Sequence, residues 1–317
     1  MKGPRKKAGL YLALLLAMVA AIPAASAQTL PTFSNVIIVV GENQNYSTSY
    51  NSSNMPYLTS LANTYGIGVN YYSDTHPSIG NYLNLVTGNI LTDDDSRTPQ
   101  NFPVSLNNIA LEVQQAGGTW KDYIENPPTV ATCKGLNHGS YYVRHDPLQY
   151  MTTINQEPGH FVCFGEFGQD VLLHRLPTLS WLVPNGCDDA HDCSIQTFDT
   201  WLRDVTLPLI RSSYFQPGGS ALLIIVFDEN ADDLSPDCET TTEGLGCGGQ
   251  VEVVLVSPYS KLGYQSPGGD SRNYNGSYDE GDLLRLMAQG LGLPTTNLGW
   301  ATNGVPMADF FTTDNHH

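Results

Sequence analysis

Ser78 sits in the segment Thr75-His76-Pro77-Ser78-Ile79-Gly80-Asn81-Tyr82, a hydroxyl between a proline and a glycine just ahead of the apolar run Leu83-Asn84-Leu85-Val86. A serine at a turn that opens a helix points into the positive end of the helix dipole, where backbone N–H groups receive an anion such as phosphate. That placement suits a nucleophile. It equally suits a capping serine, since serine is among the preferred N-caps. His76 reads as a residue that orders the turn.

Acids stand at two other informative points. Glu42-Asn43 follows the apolar run 36–40, and Asp228-Glu229-Asn230 follows the apolar run 222–227. If both runs are parallel strands, these carboxylates emerge at carboxyl ends, where open α/β sheets bind ligands. Several carboxylates at one sheet edge repel one another unless a cation neutralises them, so the pattern predicts a divalent-metal site. Solvated loop acids are the alternative. A third cluster, Asn185-Gly186-Cys187-Asp188-Asp189-Ala190-His191-Asp192-Cys193, would present Asp189 and His191 together if its cysteines are bridged, as an oxygen and an imidazole ligand. Taken alone it reads as an exposed Asp-rich loop.

Positioning these groups requires a scaffold. Runs 36–40, 222–227 and 251–256 are rich in Val, Ile and Leu without alternation, the pattern of parallel strands covered on both faces. Helices are expected over 55–64, 105–116, 198–212 and 282–291. The expected fold class is α/β, a three-layer α/β/α sandwich around a mostly parallel sheet. Six cysteines permit 15 pairings. Sequential pairing, Cys133 with Cys163, Cys187 with Cys193 and Cys238 with Cys247, is the preferred reading, and zinc ligation is disfavoured because no CxxC spacing occurs.

Lys2, Arg5, Lys6 and Lys7 precede an apolar run over 10–22, and Ala25-Ser26-Ala27 offers a cleavage site, so residues 1–27 read as a secretory signal peptide. The protein is therefore expected to be secreted or periplasmic, with no integral membrane segment after cleavage. Residues 28–317 are expected to form a single domain. The 14 basic and 31 acidic residues give −17; without the signal's four basic residues the balance is 10 against 31, or −21. Such charge disfavours nucleic acid as a partner and repels phosphorylated substrates at long range. A site that handles phosphate must then supply local cations.

Taken in order, Glu42-Asn43, Thr75-His76-Pro77-Ser78 with Asn81-Tyr82, Arg144-His145-Asp146-Pro147, Val183-Pro184-Asn185 with Asp189 and His191-Asp192, Asp228-Glu229 and Ser257-Pro258 resemble the phosphoesterase family of secreted acid phosphatases and bacterial phospholipases C. The resemblance runs from about Phe33 to the C-terminus. It implies an alkaline-phosphatase-like fold and metal-assisted phosphoryl transfer through a phosphoserine at Ser78. It further implies that Glu42, Asn43, Asp228 and Glu229, with Ser78, hold a cation that lowers the hydroxyl pKa, and that Asp189 and His191 hold a second cation or place the leaving group. Asn81 would donate to a phosphoryl oxygen or bond within the helix start. His145 would lie near the phosphate or leaving group, or be structural.

One departure stands out. Ser277-Tyr278-Asp279-Glu280-Gly281-Asp282 precedes Leu283-Leu284-Arg285, so Glu280 falls where relatives carry a histidine. Glu280 or Asp279 then replaces that histidine as an oxygen ligand, the site runs on one metal, or activity is reduced or lost. Oxygen replacement would favour Ca²⁺ or Mg²⁺ over Zn²⁺. The implied function is a phosphomonoesterase acting on small phosphate esters or a lipid headgroup, phosphoinositides among them. A phospholipase C-type phosphodiesterase and a non-catalytic exported phosphate- or metal-binding domain remain the alternatives.

Overall fold

The computed structural model describes residues 1, 3, 29–154, 156, 159–231, 247–266 and 277–314. In chain order the elements are β1 (Asn35–Gly41), α1 (Tyr46–Ser49), α2 (Pro56–Thr64), β2 (Gly66–Ser73), α3 (Ser78–Thr87), α4 (Ile109–Gln115), β3 (Trp120–Ile124), β4 (Phe161–Cys163), α5 (Gly165–Leu172), β5 (Leu179–Val183), α6 (Ile195–Ile210), β6 (Ala221–Phe227), β7 (Gly249–Val256), β8 (Tyr264–Gln265) and α7 (Glu280–Gly290). The eight strands form one sheet in the order β4-β3-β5-β1-β6-β7-β2-β8. Every residue of β1, β5 and β6 is buried, so helices cover both faces of the centre. α3, α4 and α7 pack on one another, while α2 and α5 each pack on α6, giving the two helical layers.

β1 pairs in parallel with β5 and β6, while β7 runs antiparallel to both β6 and β2. This corrects the reading of 251–256 as a parallel strand. A continuous apolar run reports burial on both faces and carries no information on direction. Because β7 alone is reversed, the carboxyl ends of β1, β2, β3, β5 and β6 share one edge.

Helix limits follow local capping. α4 starts later than expected because Asn108 caps it, accepting from the Leu111 N–H at 3.0 Å. α6 starts earlier, at Ile195, because the Ser194 side chain accepts from the Thr197 N–H. α7 starts at Glu280 through a capping box between Asp279 and Asp282. α3 ends at Gly88, whose φ of 73° is left-handed; a Cβ there would lie 2.3 Å from the Leu298 carbonyl oxygen. Disulfides join Cys133 to Cys163 and Cys187 to Cys193. Cys238 lies outside the described residues, and with it the third expected pair.

Candidate active site

The loops that leave the common sheet edge are tied to one another through their backbones. The Glu42 N–H donates to the Asp189 carbonyl at 2.8 Å, the Gln44 N–H to the Glu229 carbonyl at 3.1 Å, and the Asp228 N–H to the Gly41 carbonyl at 3.0 Å. Gly41 lets β6 approach closely, since a Cβ there would sit 2.6 Å from the Phe227 ring. Glu42, Asp189, Asp228 and Glu229 thereby converge, all buried.

Ser78 opens α3 at its first helical position, with Pro77 as N-cap, so it does not cap the helix. The residue is 3% exposed, and its hydroxyl lies 3.2 Å from Glu42 Oε2 and 3.2 Å from Glu229 Oε1. Asn43 donates its side-chain amide to Glu42 Oε2 at 3.1 Å and its backbone N–H to Asp228 Oδ1 at 3.0 Å. His76 Nδ1 pairs with Glu229 Oε2 at 2.9 Å.

Asn81 does a different job from Ser78. Its side-chain oxygen accepts from the Asp74 and Thr75 N–H groups, and its amide donates to the Thr75 carbonyl at 2.7 Å. It thus fixes the turn that carries Ser78, with Glu229 Oε2 3.4 Å away from the same amide.

His145, also buried, has Nδ1 3.0 Å from Asp189 Oδ2, and its ring stacks on Tyr82 at 5.1 Å. Its Nε2 is 3.1 Å from Glu42 Oε1, though not aligned for a hydrogen bond. Asp189 Oδ1 accepts from the His191 N–H at 2.8 Å, and His191, 28% exposed at its side chain, completes the mouth of the site. Glu280 is buried too, but its hydrogen bond comes from Asn84 at 2.9 Å, an amide that Asp74 shares at 2.8 Å; no hydrogen bond joins Glu280 to the groups around Ser78.

Sequence reasoning assigned no role to Tyr82, whose hydroxyl donates to Glu42 Oε1 at 2.7 Å. It stands four residues after Ser78 and so faces the same way, one turn on; that spacing was the available signal.

Proximity of so many acids distorts their titration. Burial, then the charges of Asp228 and Asp189, push Glu42 well above the usual carboxylate range. Burial raises Asp189 to about 7. Burial, then Glu229, raises Asp228, and burial raises Glu229 against the pull of His76. His145 is pushed down by burial, then by Arg144 and His191.

These residues fit a divalent cation. Asp228 Oδ2 is buried with no hydrogen-bond partner among the described residues. Glu42, His145 and His191 offer ligand atoms all within 4.8 Å of one another. The donors are carboxylate oxygens, an asparagine and imidazoles, a set for hard to borderline divalent ions. A cleft of about 490 Å³ lined by Asn43, His76, Pro77, Asp93, Glu229, Asn230 and Ala231 opens beside them. A cavity of about 540 Å³ next to the Cys133–Cys163 disulfide contains none of these groups and has no comparable chemistry.

The chain is 30% identical over 300 residues to a phosphatidylinositol-3-phosphatase of Mycobacterium tuberculosis, covering 94% of this chain and 90% of that protein. It is 31% identical over 208 residues to a probable acid phosphatase of Kluyveromyces lactis, covering 62% of this chain and 48% of the yeast protein. In fold it is similar to an alkaline phosphatase superfamily protein of Vibrio parahaemolyticus, with a TM-score of 0.58 at 11% identity over 89% of this chain and 71% of the other. The lipoteichoic acid synthase LtaP of Listeria monocytogenes gives a TM-score of 0.53 at 12% identity, over 90% and 77% of the two chains. The Phosphoesterase family model matches residues 33–294, and the chain belongs to that family.

Proposed function

We propose that the chain is an exported phosphomonoesterase in which Ser78 is the nucleophile. The observation that carries the reading is the Ser78 hydroxyl held 3.2 Å from each of two buried carboxylates, Glu42 and Glu229, at the start of a helix. Ser78 Oγ forms a bond to phosphorus as the ester P–O bond breaks, and the hydroxyl proton passes by way of Glu42 or Glu229 to the departing oxygen, so the leaving group departs as the neutral alcohol. Water then hydrolyses the phosphoserine and releases inorganic phosphate.

Tyr82 and Asn43 hold Glu42 in place, and Asn81 holds the turn before Ser78. Asp189 orients the His145 ring through Nδ1, leaving Nε2 facing Glu42. Glu42, Asn43, Asp228 and Glu229 would hold a divalent cation, with Asp189, His145 and His191 completing the site on the other side. Such an ion would supply charge neutralisation at the phosphoryl oxygens and a lower pKa for the attacking hydroxyl.

Small phosphate esters and the phosphate of a lipid headgroup are the proposed substrates; the name of the mycobacterial relative favours a phosphoinositide. Two disulfides fit an oxidising compartment, and no helix among the described residues is long and apolar enough to cross a membrane. With residues 1–27 as a cleaved signal, 28–317 would be one domain.

The test is hydrolysis of a chromogenic phosphomonoester and of the matching bis-ester, with and without chelator. Chelator-sensitive monoester turnover supports the reading. Preference for the bis-ester would move the assignment to a phosphodiesterase, and absence of turnover with every divalent ion would leave a binding domain.

A further inference from the structure

The start of α3 is met by a carboxylate from elsewhere in the chain. α3 has no side-chain cap of its own. The Ile79 N–H, the amide directly after Ser78, donates to Asp95 Oδ1 at 3.1 Å. The other oxygen, Asp95 Oδ2, is 3.4 Å from Arg144 Nε. A flat anion placed between a helix-start amide and a guanidinium reproduces the contacts a phosphoryl group would make there.

Asp95 is free of the turn that carries it. Its neighbour Asp94 serves that turn, pairing with Arg97 at 3.2 Å and accepting from the Ser96 N–H at 3.0 Å. Arg144 is the better anchored partner. It reaches His191 Nε2 through Nη2 at 2.8 Å and lies over the Tyr142 ring at 4.3 Å. The Arg144 side chain is 12% exposed and that of Asp95 36%, so solvent and solutes reach the carboxylate first. In a chain of net charge −17, a guanidinium at this point is a local attraction that long-range repulsion of phosphate has to be set against.

We propose that Arg144 and the Ile79 N–H form the phosphoryl-binding seat and that Asp95 fills it in the unliganded protein, a built-in competing anion that the phosphate of substrate or product displaces. The inference rests on the phosphomonoesterase reading. Every phosphate that binds must break a carboxylate–amide bond and a carboxylate–guanidinium pair. Affinity for inorganic phosphate is lowered accordingly, and Asp95 returns to the seat as the product leaves.

Calorimetric titration of the full-length protein with inorganic phosphate tests this, alongside steady-state kinetics on a phosphomonoester. Asp95→Asn keeps an acceptor for the Ile79 N–H and removes the competing charge; it should bind phosphate about tenfold more tightly and lower KM by a similar factor. Asp95→Ala, which frees the amide altogether, should shift both in the same direction. Arg144→Ala should weaken phosphate about tenfold or more, and Asp95→Asn made in that background should tighten it by less than it does in the wild type. Unchanged or weaker phosphate binding in both Asp95 variants, with only a fall in Tm, would make Asp95 a structural cap and overturn the inference. If the shifts in phosphate affinity occur in a protein with no turnover, the seat stands and the phosphatase reading falls; if turnover is normal and the shifts are absent, only the seat falls.

Discussion

Glu252 on β7 is a buried acid away from the proposed chemistry, 1% exposed in the middle of the sheet. Burial raises its pKa from 4.5 to about 7, with the Ser49 hydroxyl offsetting part of the penalty and Asp199 adding to it. A carboxyl group whose pKa is higher in the folded than in the unfolded chain binds its proton more tightly when folded. Its contribution is most favourable below pH 4.5 and is lost as pH rises toward 7. At about 1.4 kcal/mol per unit, a shift of this size amounts to about 3 kcal/mol of stability between pH 4.5 and pH 8.

Glu252→Gln removes the ionisation and keeps the shape. Its amide brings a new donor into the sheet, with a penalty of about 1–3 kcal/mol if left unpaired, but that penalty does not vary with pH. Urea unfolding of both proteins at pH 4.5, 6, 7 and 8.5 isolates the group, because the titrations of groups that do not interact with Glu252 cancel in the difference. The variant should gain about 3 kcal/mol relative to the wild type from the lowest to the highest pH. Stability profiles that run parallel across that range would refute the assignment.

Tyr82→Phe removes the hydroxyl that donates to Glu42 Oε1, a bond to a charged acceptor, and should lower kcat/KM about tenfold or more while weakening divalent-ion binding; the checks are kinetics across an ion titration and a metal-binding isotherm. Replacing Cys187 and Cys193 together by serine opens a loop with a sequence separation of 6 and should destabilise the protein by about 2 kcal/mol in urea unfolding. Activity should fall further than stability does, because Asp189 and His191 ride on that loop; full turnover under folding conditions would separate the loop from the chemistry. Gly88→Ala should cost about 1–3 kcal/mol, read as a drop in Tm, because the residue adopts φ 73° against the Leu298 carbonyl.

Much of the scaffold was legible because burial leaves a direct trace in composition. The runs at 36–40, 222–227 and 251–256 could be read as strands from apolar content alone, and Glu42, Asp228 and Glu229 stood out as acids directly after two of them. The reversed direction of β7 was not legible, since side-chain polarity is the same whichever way a fully buried strand runs. β2 and β5 were missed for another reason: GIGVNYYS is broken by two glycines and an asparagine, and LSWLV is only five residues long.

Within the candidate site, most of the residues that sequence singled out are charged or nucleophilic and close to an element end, with Asn43 and Asn81 taking their proposed roles from the family resemblance. Tyr82 carries no charge; it appeared in the motif that carries the family resemblance and at helical spacing from Ser78, and neither gave it a role. Asp95 could not be placed at all, because its contacts with Ile79 and Arg144 depend on how the chain between α3 and the His145 segment folds back over the site. Glu280 was marked by its position in the sequence alone; at the start of α7 its Oε2 accepts from Asn84, while its Oε1 is buried without a hydrogen-bond partner among the described residues.

The central claim is that phosphate passes through Ser78, and its most direct test is to quench the enzyme with acid during turnover of a phosphomonoester and map the phosphate by peptide mass spectrometry. A single phosphoserine at Ser78, absent from Ser78→Ala protein that still folds and binds divalent ions, is the expected result. Steady turnover with no trapped phosphate, and with Ser78→Ala as active as the wild type, would contradict the account.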